Sequence, residues 1–161
     1  MIKLKKKNYY QILLILSILI LISAFVIEFI FGYQPCNLCI IERFPYMIAI
    51  AIILLTYIFK KNIIFYNILL VLVFLFSILI SVYHFGIEQG MIEESMVCKS
   101  KSLDLITKED ILNSLQELRI SCKDVAFKIF GLSLTTYNIF ISLFMFLLST
   151  KIYLVKNDFK K

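Results

Sequence analysis

The sequence predicts an all-α membrane protein, a four-transmembrane-helix bundle with both termini cytoplasmic and a short amphipathic helix in the second outer loop. Three observations carry this. Of 161 residues, 61% are hydrophobic and the mean hydropathy is +0.91, against roughly 45–50% apolar residues in a soluble domain. Charged residues make up 17% of the chain and leave four long stretches almost empty. The lysines gather on one side of those stretches. Such a composition excludes a disordered chain and, despite the net charge of +6, a nucleic-acid-binding domain.

The first span is read over residues 12–31, where 17 of 20 residues are apolar and only Ser17, Ser23 and Glu28 interrupt. At 1.5 Å per residue, such a stretch crosses the roughly 30 Å hydrocarbon core. Residues 40–59 form the second span, with Glu42, Arg43 and Pro45 crowded into its first turns at the interface. Residues 63–83 make the third, and 132–155, richer in Ser, Thr and Asn, are long enough to cross with a tilt. No period-2 strand pattern or internal repeat appears, and hydrocarbon forces each backbone group to bond within its own helix or a closed barrel. The chain is therefore one membrane domain, 1–161, embedded in the lipid bilayer.

Ten lysines and one acid, Asp158, fall on the side of the termini and the Asn62 turn, whereas the other side carries seven cations and ten acids. The positive-inside rule makes the lysine side cytoplasmic. The N-terminal lysines ahead of an apolar run also fit a cleavable signal peptide, but the run is long and Gly32-Tyr33-Gln34-Pro35 offers no small-x-small cleavage pattern, so it is read as a retained anchor.

This orientation puts all four cysteines outside: Cys36 and Cys39 in the loop 32–39, Cys98 and Cys122 in the loop 87–128. An even cysteine count on the outer face suits two disulfides in an oxidising compartment such as a bacterial periplasm. Structural staples are one reading, since closing the loop from 98 to 122 stabilises by about 3 to 4 kcal/mol in the chain-entropy model. The other reading is redox chemistry, for which Cys36-Asn37-Leu38-Cys39 directly before a helix is suited. Pro35 fits a first helical position, and helix amides favour a thiolate. A four-Cys zinc site would need a second close pair, which the 24-position separation of Cys98 and Cys122 does not provide, so no metal site is expected.

Arg43 lies four residues beyond Cys39, on the same helical face. It is either an anchor snorkelling to headgroups, with Glu42 a surface neighbour, or a donor to a quinone carbonyl. In the second loop, Thr107-x-x-Asp110 resembles a capping box, and Ile111, Leu112, Leu115 and Leu118 give the following helix one apolar stripe. The lone histidine, His84, closes the third span and is read chiefly as an interfacial hydrogen-bonding residue, with proton carrier as the alternative and cofactor contact as a further, lesser role. Glu28 is an intramembrane ionisable group without an assigned partner.

The stretch Pro35-Cys36-Asn37-Leu38-Cys39-Ile40-Ile41-Glu42-Arg43, with four spans and a cysteine pair in the second outer loop, resembles the DsbB family over nearly the whole chain. His84-Phe85-Gly86-Ile87-Glu88-Gln89-Gly90 and Phe130-Gly131-Leu132-Ser133 resemble segments common in one branch. The resemblance implies a bacterial inner-membrane enzyme that reoxidises a periplasmic DsbA-like thiol oxidase and passes the electrons to ubiquinone or menaquinone. It implies that Cys98 forms the mixed disulfide with the oxidase, that Cys122 exchanges with Cys36, that Cys39 contacts the quinone and that Arg43 supports its binding. Where the family often has a Trp shortly after the last cysteine, this chain has Phe127 and no Trp. The vitamin K epoxide reductase-like enzymes also combine a bundle, a CxxC and a quinone, but with the loop cysteines ahead of the CxxC. The alternative from another class is a structural or interaction membrane protein with disulfide-stapled loops.

Overall fold

The computed structural model describes residues 6–59, 62–93, 98, 121–123, 128–129 and 131–157. Its helices are α1 (Lys6–Phe29), α2 (Asn37–Ile41), α3 (Phe44–Ile58), α4 (Ile63–Glu88) and α5 (Leu134–Asn157), with two short strands, β1 (Lys128–Ile129) and β2 (Leu132–Ser133). Taking α2 and α3 as one crossing, four segments are long and apolar enough to span a membrane: Asn8–Phe29, Asn37–Ile58, Ile63–Glu88 and Leu134–Leu154. The expected four-helix bundle is present.

Neighbours in the bundle follow the chain around a ring. Helix α1 packs on α3, α3 on α4, and α4 along most of α5, which returns to α1. Tyr10, Leu13, Tyr46, Ala49, Ile53, Leu70, Phe74 and Met145 fill the centre. Facing outward are Ile15, Leu19, Phe29, Phe65, Leu79 and Phe140, each more than half exposed. A water-soluble bundle would hide these groups, whereas lipid is their proper solvent. Small and polar side chains are buried instead, among them Ser17, Asn67, Ser77, Ser81 and Ser142. Tyr46 Oη bonds Ser142 Oγ at 2.9 Å, which bonds Ser77 Oγ at 2.8 Å, and Tyr10 donates to Asn67. Cross-helix hydrogen bonds of this kind hold helices together where apolar burial gives no preference for protein over lipid.

Four differences from the sequence reading bear on the site. Helix α1 ends at Phe29, two residues before the expected 31, and Gly32 takes φ +71° as the chain turns towards α2. The second crossing begins at Asn37, so Cys39 sits in a helical turn and not in a loop. The third continues past the expected 83 to Glu88, because His84 and Glu88 both have buried partners. Its end is a Schellman cap: Gly90, at φ +71°, donates to Ile87 O, and Met91 N donates to Gly86 O. The fourth starts at Leu134, because a hairpin occupies the approach. Lys128 pairs with Ser133 and Ile129 with Leu132, and Gly131 at φ +81° lies in the two-residue turn. Strands of two residues are too short for alternation to reveal. The amphipathic helix expected after Thr107 lies outside the described residues.

Candidate active site

The CxxC forms the first turn of α2. Cys36 is its N-cap, with extended backbone (φ −69°, ψ 168°), and its sulfur accepts the Cys39 amide N–H at 3.2 Å. Pro35 therefore lies one residue before the cap, not at the expected first helical position. The three-residue separation folds the two free thiols together, with sulfurs 2.7 Å apart. Helix α2 is closed after five residues by a turn at Glu42 and Arg43, and Pro45 lies in the first turn of α3, where its missing N–H does no harm.

Behind Cys36 stands His84, which is 1% exposed. Its Nε2 is 3.5 Å from Cys36 Sγ, while its Nδ1 is 3.0 Å from Glu42 Oε1 and 3.2 Å from Thr135 Oγ1. Glu42 is likewise no surface neighbour. It is buried, and Asn138 Nδ2 donates to its second oxygen at 3.0 Å and to Ser81 Oγ at 2.8 Å. Thr135 donates to Glu88 Oε1 at 2.6 Å, and that oxygen is 3.9 Å from His84 Nε2. Glu88 Oε2 is buried without a partner among the described residues. The imidazole thus joins a thiol on one edge to a carboxylate on the other, and a proton can be shared along the line. The Cys36 thiol is pushed down to about 5, first by the hydrogen bond with Cys39 and then by the His84 hydrogen bond and charge, against the opposing effect of burial. A thiolate at neutral pH is the form that exchanges disulfides and ligates metals.

The second pair, Cys98 and Cys122, is disulfide-bonded and buried. Cys36, Cys98 and Cys122 form one buried cluster with Leu38 and Ile87, and Cys39 packs against it. Cysteines from two separated segments therefore share one cluster. Cys39, Arg43, His84 and Cys122 also line a cavity of about 340 Å³, whose other wall includes the apolar Ile20, Ala24, Ile27 and Ile141. A largely apolar recess with a few polar groups converging on it is the usual form of a small-molecule site. Arg43 is held there by Glu28, Nη1 to Oε2 2.5 Å, and its guanidinium lies 5.3 Å from the Phe25 ring centroid. Glu28 thereby gains the partner that the sequence reading left open.

Residues 6–152 match the family described as Disulfide bond formation protein DsbB. The chain belongs to the DsbB family. The uncharacterized protein RP370 of Rickettsia prowazekii (strain Madrid E) is 34% identical over 145 residues, covering 86% of this chain and 84% of that protein. No solved structure matches. Membership makes this a multi-pass membrane protein of disulfide-bond formation. The structure brings all six sequence-derived site residues of this DsbB-family chain to one end of the bundle. Sequence reasoning missed the roles of Glu42, Glu88, Thr135 and Asn138. The i, i+4 spacing of His84 and Glu88 on an apolar helix was a usable signal, and so were two opposite charges, Glu28 and Arg43, at the same depth of adjacent spans.

Proposed function

We propose that the protein oxidises a periplasmic DsbA-like dithiol oxidase and transfers the two electrons to membrane ubiquinone or menaquinone, with its cysteine segments facing the periplasm of a bacterial inner membrane. What supports this above all is the packing of both cysteine pairs into one cluster beside a cavity that also presents Arg43 and His84. The outer-face assignment rests on the lysine asymmetry, because the cysteine end lies opposite the lysine-rich connections.

In this reading Cys98 accepts the attack of a partner thiolate and Cys122 leaves as the free thiolate. The partner's second thiol then resolves the mixed disulfide, so its dithiol becomes a disulfide and the loop pair becomes a dithiol. Cys122 next attacks the oxidised Cys36–Cys39 pair at Cys36, and Cys98 closes the loop disulfide again, leaving Cys36 and Cys39 reduced. A low thiol pKa makes Cys36 an effective leaving group when Cys98 attacks Cys122 and the Cys36–Cys122 bond breaks. His84 holds or releases the proton at Cys36 Sγ, and Glu42 with Thr135 fixes the ring through Nδ1. The cavity fits a quinone ring in character: apolar walls, a guanidinium for a carbonyl oxygen, and the Cys39 sulfur on the same lining. Bound quinone supplies a two-electron, two-proton acceptor, which is needed because a DsbA-type partner is itself strongly oxidising, at about −120 mV. Over the cycle, partner dithiol plus quinone becomes partner disulfide plus quinol.

Purified full-length protein in nanodiscs, given a reduced thioredoxin-fold oxidase and a soluble quinone, should produce one quinol per partner disulfide formed. Retention of that coupled turnover in Cys39→Ser or Cys98→Ser would leave the disulfides as staples only.

A further inference from the structure

Among the described residues, one cluster brings metal-ligating atoms together. The sulfurs of Cys36 and Cys39 and an imidazole nitrogen of His84 all lie within 4.8 Å of one another. All three line the cavity, so an ion can reach them without opening the bundle. Two soft thiolates and one imidazole are the donors that zinc favours, and three protein ligands with a fourth position open is a recurrent zinc arrangement.

The second layer is already built. Metal-binding histidines commonly donate their other ring N–H to a carboxylate, which sets the tautomer and raises the basicity of the ligating nitrogen. Here Nδ1 faces Glu42 Oε1 at 3.0 Å and Thr135 Oγ1 at 3.2 Å, leaving Nε2 turned to Cys36 Sγ at 3.5 Å. Glu42 is fixed in turn by Asn138. An independent observation also points to a ligand. Glu88 lines the same cavity, and its Oε2 is buried with no hydrogen-bond partner among the described residues, an oxygen donor next to the histidine.

We propose that the reduced Cys36–Cys39 pair and His84 form a divalent-cation site of zinc type, with Glu88 or water as the fourth ligand, and that the site exists only while the pair is reduced. Oxidation consumes both sulfur donors in their mutual bond, leaving a lone imidazole. The ion therefore blocks the enzyme in one redox state, by tying up the two thiols that must be oxidised. The inference rests on the geometry around Cys36 and does not require the quinone reading.

The test uses the full chain with Cys98 and Cys122 both replaced by Ser, so that only two thiols remain, reduced with a phosphine, desalted and titrated with Co²⁺ and Zn²⁺. One ion per chain should bind, with thiolate-to-cobalt charge-transfer absorption displaced by zinc, and reoxidation of the pair should abolish it. His84→Ala should weaken zinc binding by at least about tenfold, and Glu42→Gln should weaken it by about tenfold as a second-layer change. X-ray absorption of the zinc-loaded, otherwise unaltered site should show two sulfur and at least one imidazole scatterer, a result independent of whether the His84 variant folds. No binding to the reduced protein, equal binding after oxidation, or a zinc shell lacking either sulfur or imidazole would overturn the proposal.

Discussion

The two cysteine pairs share one buried cluster but keep different company. Cys98 and Cys122 are joined across a sequence separation of 24, through a charged stretch of the chain. Cys36 and Cys39 lie in one helical turn with an imidazole and two buried carboxylates nearby. The first arrangement suits a pair that meets a partner and closes a loop. The second suits a pair whose protons are managed by fixed groups. Placing acids inside an apolar bundle is costly unless each is paired, and Glu42 is paired on both oxygens. The difference teaches that the local surroundings, rather than the disulfide itself, divide the labour.

The strongest way to break the comparison is to remove one sulfur from each pair. Cys36→Ser should abolish quinone-coupled turnover while the Cys98–Cys122 disulfide still oxidises one equivalent of partner in a single turnover. Cys98→Ser should remove the partner reaction, yet leave a chemically reduced Cys36–Cys39 pair able to reduce added quinone. Stopped-flow thiol and quinol measurements on both variants read this directly, and identical defects would mean that the pairs do not act in sequence.

His84→Gln tests the imidazole with smaller effect. Without its hydrogen bond and charge, the Cys36 pKa rises from about 5 towards the ordinary thiol value. At pH 6 alkylation of Cys36 should then fall by about two- to fivefold, because lost thiolate outweighs the gain in intrinsic nucleophilicity, whose Brønsted slope is only about 0.4–0.5. Labelling of Cys122 in the reduced protein should change little. An unaltered pH profile for Cys36 alkylation would show that the ring does not act on this sulfur.

Arg43 and Glu28 come next. Arg43→Leu should raise the KM for quinone by about fivefold and leave that for the thiol partner unchanged, the pattern of a lost binding contact on one substrate alone. Glu28→Gln, which keeps the guanidinium but releases it from its 2.5 Å partner, should give a smaller rise in the same direction. Both side chains are partly exposed, so their coupling in a double-mutant cycle should not exceed about 1 kcal/mol. Equal KM values for Arg43→Leu and parent protein would reduce Arg43 to an anchor.

What could be read from the sequence follows from how local each feature is. Four spans and one-sided lysines depend on composition within windows of twenty residues, and the CxxC and its Arg43 lie within eight. Glu42 reads as a surface neighbour only if Arg43 is an anchor at the span boundary, whereas its burial depends on His84, 42 positions away, and on Asn138, 96 away. Glu28 needed Arg43 from the next helix. Such pairings depend on which helices are neighbours, and four similar apolar stretches do not encode that in any single segment. The hairpin before α5 was hidden for the opposite reason, its two-residue strands being too short to carry a period.

The finest distinction between the pairs lies in their proton count. A disulfide reduced to two neutral thiols takes up two protons with two electrons, so its potential falls by about 60 mV per pH unit, whereas uptake of only one proton gives about 30 mV. With Cys36 pushed down to about 5 and Cys39 hydrogen-bonded to it, reduction between pH 6 and 8 should yield one thiolate and one thiol, and hence the shallower slope. The Cys98–Cys122 couple, reduced to two neutral thiols, should follow the steeper one. Since the potential of the Cys36 pair falls less as pH rises, it becomes the better acceptor relative to the loop pair by about 30 mV, or 1.4 kcal/mol, per unit. Electron transfer from the loop dithiol to the CxxC disulfide should therefore go further towards completion at pH 8 than at pH 6. Redox titration of variants retaining one pair each, at several pH values against a glutathione buffer, measures both slopes; parallel lines would mean that Cys36 does not hold its thiolate in this range and that the imidazole and carboxylates beside it serve packing alone.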